Sequence, residues 1–172
     1  YLGACEGCDP QLKQAVRELG TWIGTSGNSL VYGGSKTGLM GELALAALEA
    51  GAKVTGVEPQ FFVDSVLQLE GLTRLIVTPD IAERKAKMIE LGEAFVAFPG
   101  GTGTLEEISQ IMSMIGLGQL DAPCVFYNLN GYYNPMAEQL DRMLACDLTS
   151  PERLQGISFA RNLDELVACL QA

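Results

Sequence analysis

Residues 94–107 read Ala94-Phe95-Val96-Ala97-Phe98-Pro99-Gly100-Gly101-Thr102-Gly103-Thr104-Leu105-Glu106-Glu107. The first five are apolar without alternation, the pattern of a strand covered on both faces. The glycines that follow let the backbone turn sharply. Helical periodicity then runs from Leu105 to Leu117. Strand, glycine turn and helix in that order make one βα unit of a parallel sheet.

The same alternation extends in both directions. Strands are expected at Leu30–Tyr32, Lys53–Val57, Arg74–Thr78, Ala94–Phe98, Pro123–Asn128 and Ile157–Ala160. Tyr1–Ala4 looks like the end of a further strand whose beginning lies upstream, since the sequence opens on Tyr1 and not on Met. The first helix carries an apolar stripe of Leu12, Ala15, Val16, Leu19, Trp22 and Ile23. Later helices are expected at Leu39–Ala50, Ile81–Leu91, Leu105–Leu117, Pro135–Cys146 and Leu163–Leu170. Strand–helix alternation throughout predicts a doubly wound parallel α/β sheet with helices on both faces. At 172 residues, with no linker, repeat or low-complexity segment, the chain reads as one domain over 1–172.

Composition narrows the chemistry. There is no histidine, and 21 acidic residues stand against 11 basic ones for a net charge of −10. Ser-His-Asp and Cys-His nucleophile systems are therefore excluded, as are His-ligated zinc and haem. A general acid or base near neutral pH must be a carboxylate, Lys, Cys or Tyr. The acidic balance argues against nucleic acid and anionic membranes as partners. No apolar run approaches the ~18 residues of a membrane span, and no signal peptide is visible. The five cysteines are odd in number and scattered, which predicts reduced thiols and a cytoplasmic location. Cys5-Glu6-Gly7-Cys8 has the spacing of a redox dithiol, but a lone C-x-x-C is a weak signal and the plainer reading is two small residues in a tight βα loop. Structural zinc would need two further ligands that the sequence does not offer.

Two loops collect glycine at strand ends, where ligands of such sheets bind. One is Gly33-Gly34-Ser35-Lys36-Thr37-Gly38-Leu39-Met40-Gly41; the other is Pro99–Glu107. Neither has the Walker spacing, because Leu39-Met40 stands where Lys-Ser/Thr would be required. Both lead into a helix N-terminus, whose free N–H groups and partial positive charge suit a phosphate. Two tight turns without a ligand would give the same sequence. Two such loops in one small sheet point to a nucleotide-like ligand.

Two charged residues look misplaced. Thr104-x-x-Glu107 is a capping box by spacing. Yet Glu107 shares a helical face with Ile111, Met114 and Ile115, which aims it along a buried stripe, while Glu106 points elsewhere. A carboxylate there, at the mouth of a glycine loop, is a catalytic candidate. Asp80 can cap the next helix upstream with Glu83 completing the box. Arg84 then falls on the apolar stripe of Ile81, Met88 and Leu91, where a salt bridge, a snorkelling stem or a functional role could explain it. Lys85 and Lys87 lie off that stripe and read as solvated.

These elements together resemble a known family. Tyr32-Gly33-Gly34 with Gly38-Leu39-Met40-Gly41, Glu83-Arg84-Lys85-Ala86-x-Met88, Pro99-Gly100-Gly101-x-Gly103-Thr104-Leu105-Glu106-Glu107 and Gly131-Tyr132-Tyr133 are similar to motifs of the cytokinin riboside 5′-monophosphate phosphoribohydrolases, the Lonely Guy family. The resemblance runs along essentially the whole chain, in order. Many relatives carry a lysine decarboxylase label. That chemistry is not expected here, because the chain is small and offers no recognisable pyridoxal-phosphate lysine.

The resemblance implies a Rossmann-like fold, a homodimer, and hydrolysis of a nucleoside 5′-monophosphate to free base and ribose 5-phosphate, with no metal or redox cofactor. It places the catalytic pair on Arg84 and Glu107. It places nucleotide contacts on Arg84, Lys85 and the run Gly101–Glu107, with Gly100 beside it, and Ser113 where the family has a threonine. The α-helix after Gly103-Thr104 would hold the 5′-phosphate, with Gly33-Gly34-Ser35 as a second contact. Three departures bear on base specificity and the dimer surface: Ser35 replaces a third glycine, Ile81-Ala82 replaces Met-His, and Gly116–Pro123 departs from QLGxHxKP. A nucleotide carrier without catalysis is the rival expectation, since fold and glycine loops suit it equally. Only a hydrolase needs the Arg84 and Glu107 pair.

Overall fold

The structure is a computed structural model describing residues 1–65 and 67–171. Its described strands are all parallel and form two three-stranded sheets, flanked by seven helices, in a Rossmann-like α/β fold. The chain separates into two compact units, residues 2–92 and residues 93–172 together with Tyr1.

In the first unit, β1 (Ser29–Tyr32), β2 (Lys53–Pro59) and β3 (Arg74–Thr78) lie in the order β1-β2-β3. The register sets Tyr32 against Gly56 and Pro59 against Thr78, so strand ends and the loops leaving them gather at one edge. α1 (Gln11–Thr25) buries Leu12, Ala15, Val16, Leu19 and Ile23, as its 3.6-residue periodicity requires. Trp22, expected on that stripe, is only half-buried. α1 packs against α2 (Gly38–Glu49) through small residues. A Cβ on Gly20 would stand 2.7 Å from the Leu43 carbonyl oxygen, and one on Gly24 would stand 2.5 Å from Ala50 Cβ. A short helix, α3 (Gln60–Asp64), follows β2 directly and was not legible in the sequence. α4 (Ile81–Leu91) has the expected bounds, and its first turn is capped by Asp80, whose Oδ1 accepts from Glu83 N at 2.8 Å.

In the second unit, β4 (Phe95–Ala97), β5 (Cys124–Tyr127) and β6 (Ile157–Ala160) are parallel in that order. β5 is buried along its whole length, and its core is aromatic. Phe126 stacks on Phe159 at 4.9 Å and meets Tyr133 edge-on at 4.9 Å, while Phe98 stacks on Tyr127 at 4.3 Å. α5 (Thr102–Gly116), α6 (Asn134–Ala145) and α7 (Leu163–Gln171) complete it, with 3₁₀ turns at Leu129–Gly131 and Pro151–Leu154. The expected strand at Tyr1–Ala4 is not formed as a strand. Tyr1 alone takes a ladder position: its amino group donates to Val96 O at 2.6 Å and its carbonyl accepts from Phe98 N at 2.9 Å.

Candidate active site

The second glycine loop is open and leads straight into a helix. α5 begins at Thr102, with Gly101 as its N-cap and no side chain capping it. Thr104 is therefore not the N-cap that the Thr104-x-x-Glu107 spacing suggested; it lies in the first turn. The helix starts earlier because the glycines offer no competing side chain and Gly101 takes an extended conformation, with ψ at −160°. The first-turn N–H groups then have no intrahelical acceptor. Thr102 and Gly103 are exposed, and a Cβ added to Gly101 or Gly103 would meet nothing within 4 Å. Neither packing nor a positive φ demands glycine at these two positions. What glycine provides here is open space over uncapped amides, the arrangement that accepts an anion.

Gly131-Tyr132-Tyr133 fixes that loop from behind. Tyr133 Oη donates to Phe98 O at 2.6 Å, and Tyr132 Oη donates to Gly100 O at 2.6 Å. In a trans peptide the N–H points opposite to the C=O. Holding the Gly100 carbonyl therefore turns the Gly101 N–H away from Tyr132. Asn128 braces the tyrosines, its Oδ1 accepting from Tyr133 N at 2.6 Å and its Nδ2 donating to Asn134 Oδ1 at 2.8 Å. Burial holds the Tyr133 hydroxyl in its neutral, donating form.

Along α5, Thr104 and Glu107 are buried on the face that also carries Ile108 and Ile111. Glu106 is exposed. The expected separation of the two glutamates is present, although Met114 and Ile115 are only half-buried. Ser113 is exposed on the same helix.

In the other unit, the first glycine loop is packed and not open. Gly34 has φ +87°, a conformation that side chains rarely adopt. Tyr32 Oη donates to Gly34 O at 3.0 Å, and Ser35 Oγ and Thr37 Oγ1 share a bond at 2.8 Å. Arg84 reaches this loop from α4. Its Nε donates to Val57 O at 2.9 Å, and a Cβ on Gly33 would stand 2.5 Å from its Nη2. The stripe position that looked anomalous is thus used to lay a guanidinium across Gly33. Met88 on the same stripe is buried. Lys85 and Lys87, expected to be solvated, are half-buried, and Lys87 pairs with Glu90 at 2.8 Å.

Comparison with known proteins bears on what these loops do. A family model described as "Possible lysine decarboxylase" matches residues 40–170. A cytokinin riboside 5′-monophosphate phosphoribohydrolase of Rhodococcoides fascians is 36% identical over 100% of this chain and 87% of its own length. LOG5 of Arabidopsis thaliana, which has the same name, is 34% identical over 100% of this chain and 75% of its own. The chain belongs to this phosphoribohydrolase family. Among solved structures, the molybdenum cofactor carrier protein of Chlamydomonas reinhardtii superposes with a TM-score of 0.70 at 24% identity, covering 98% of this chain and 91% of its own. The molybdenum cofactor binding protein of Rippkaea orientalis gives 0.69 at 18% identity, covering 99% and 92%. At those identities the likeness concerns the fold.

One residue of this phosphoribohydrolase-family chain escaped the sequence reading. β2 runs two residues beyond its expected end and carries Glu58 into the interior, 1% exposed, beneath Gly34. Its signal was a lone acid between Val57 and Pro59 at the carboxyl end of the strand after a glycine loop, where acids of nucleotide-binding sheets stand. Burial pushes the Glu58 carboxyl above the usual carboxylate range, opposed by the positive charge of Arg84. Cys5 and Cys8 are both exposed free thiols. Among the described residues, no three His, Cys, Asp or Glu side chains are grouped to hold a metal ion.

Proposed function

We propose that this chain hydrolyses the N-glycosidic bond of adenosine 5′-monophosphate or an N6-modified form of it, releasing the base and ribose 5-phosphate. The observation that carries this is the start of α5: uncapped amides, two glycines facing open space, and a buried carboxylate one turn further on. Relatives at 34–36% identity over the whole chain bear the name of this activity, which supports the reading.

The 5′-phosphate sits on the amides from Gly101 to Thr104, oriented by Gly100 and the tyrosine clamp behind it. Breaking the bond sends its electron pair to the base and leaves an oxocarbenium-like ribosyl centre. Glu107 stabilises that centre and takes a proton from the water that attacks C1′. The departing base gains a proton from solvent and Glu107 returns the one it took, so that one water is consumed for each bond broken. Arg84 orients the nucleotide and offsets negative charge as it develops, and Lys85 adds a second cation. Ser113 supplies a hydroxyl further along α5.

The test is to incubate the purified chain with AMP and with N6-isopentenyl-AMP and to measure free base and ribose 5-phosphate. Stoichiometric release of both products supports the reading. Binding without release would favour the carrier and remove the hydrolase. A homodimer and a cytoplasmic location belong to the same proposal. The dimer is supported by exposed Phe61, Phe62, Leu75 and Val77, and the location by free thiols throughout. No helix among the described residues is long and apolar enough to cross a membrane.

A further inference from the structure

Among the described residues, two buried side-chain oxygens have no hydrogen-bond partner, Glu58 Oε2 and Gln68 Oε1. Both stand on segments that touch the first glycine loop. A Cβ on Gly34 would lie 2.5 Å from Glu58 Cγ and 2.9 Å from its carboxyl carbon. Gln68 is bridged to Ser35, flanked by Lys36 N donating to Leu67 O at 2.8 Å and Leu69 N donating to Gly34 O at 2.9 Å. An acceptor left unpaired in the interior is costly, and native folds keep few of them. Two neighbouring donors point elsewhere: the Tyr32 hydroxyl donates to Gly34 O and Arg84 Nε to Val57 O.

We infer that Glu58 is a specificity-determining residue whose carboxylate accepts a hydrogen bond from an N–H or O–H donor on the nucleoside part of the substrate, at the Gly33-Gly34-Ser35 loop. This rests on the nucleotide reading above. It also reassigns the loop. A phosphate dianion brought against a buried carboxylate would be repelled, and both orphan atoms are acceptors. The loop is therefore built for a donor, and its role as a second phosphate contact lapses. Gly34 is glycine because Glu58 occupies the space a side chain would take. Glu58 is closed over in this structure, so the contact forms as Gly33–Ser35 and the paired segment 67–69 adjust around the nucleoside.

Two donors qualify, the exocyclic amine of the base and the ribose 2′-hydroxyl, and the test separates them. Kd and kcat/KM are measured for AMP, inosine 5′-monophosphate and 2′-deoxy-AMP with the wild type, Glu58→Leu and Glu58→Gln. A site that hydrogen-bonds a donor rejects the analogue lacking it, so the wild type should prefer AMP over one analogue by roughly tenfold or more. Glu58→Leu should bring that ratio close to one and leave the other ratio unchanged. A collapsed inosine ratio assigns the amine; a collapsed deoxy ratio assigns the hydroxyl. If Glu58→Leu does not fold, Glu58→Gln keeps the shape and should shrink the same ratio, because the charge on the acceptor is gone. Both ratios unchanged in the folded variants, or a wild type that binds all three nucleotides equally, would overturn the assignment. Because Kd does not depend on turnover, AMP binding without base release would sink the hydrolase and still decide Glu58.

Discussion

At the scale of single residues, similar glycines do different work. Gly101 faces open space with an ordinary φ, whereas Gly34 has φ +87° and Glu58 Cγ at 2.5 Å from its missing Cβ. Gly101→Ala should leave thermal stability unchanged and raise KM, because it obstructs only the ligand. Gly34→Ala should destabilise the fold by on the order of 1–3 kcal/mol, read from denaturant midpoints. Glu107→Gln should lower kcat by roughly 10²–10⁴ with nucleotide affinity retained. An unaltered kcat would take Glu107 out of the mechanism. Glu58 makes stability depend on pH. Its folded carboxyl titrates above the unfolded value, so the fold is favoured below the ordinary carboxylate range and loses that advantage as pH rises through the raised value. The Tm advantage of Glu58→Gln over the wild type should therefore grow from about pH 4 towards about pH 7.

At the scale of elements, caps decide where the helices that carry the site begin. α4 starts where Asp80 holds Glu83 N, and its bounds were legible because a side-chain cap is written in the sequence. α5 has no such signature. Thr104 and Glu107 have capping-box spacing, yet the helix begins at Thr102 because the preceding glycines allow it. Loss of the α4 cap through Asp80→Ala should cost about 1 kcal/mol in chemical denaturation. The loop before α5 depends instead on the hydroxyls of the element after β5. Tyr132→Phe removes the bond to Gly100 O, and nucleotide Kd should rise by about two- to tenfold, measured by calorimetry, with Tm nearly unchanged.

At the scale of the whole molecule, exposed Phe61, Phe62, Leu75 and Val77 are apolar side chains that a second copy could cover. Light scattering on a sizing column should give the mass of two chains; one chain's mass would leave the homodimer without support. Order of elements, parallel strands and the two glycine loops were determined by the sequence itself, because unalternating apolar strands and helical stripes are local patterns that only a covered parallel sheet satisfies. The same periodicity sets Arg84 and Glu107 on apolar stripes, a property of spacing that needs no tertiary contact. The missing histidines already confined the acid–base chemistry to a carboxylate, Lys, Cys or Tyr. Tertiary structure decided what periodicity cannot carry: that β2 continues to Pro59 and buries Glu58 under Gly34, that Arg84 lies across Gly33, and that Tyr132 and Tyr133 hold carbonyls from a loop more than thirty residues away. Those are meetings between segments distant in sequence. A lone glutamate or tyrosine carries no local signal of the backbone it will touch, and the cost of an unpaired buried oxygen exists only once the chain has closed around it.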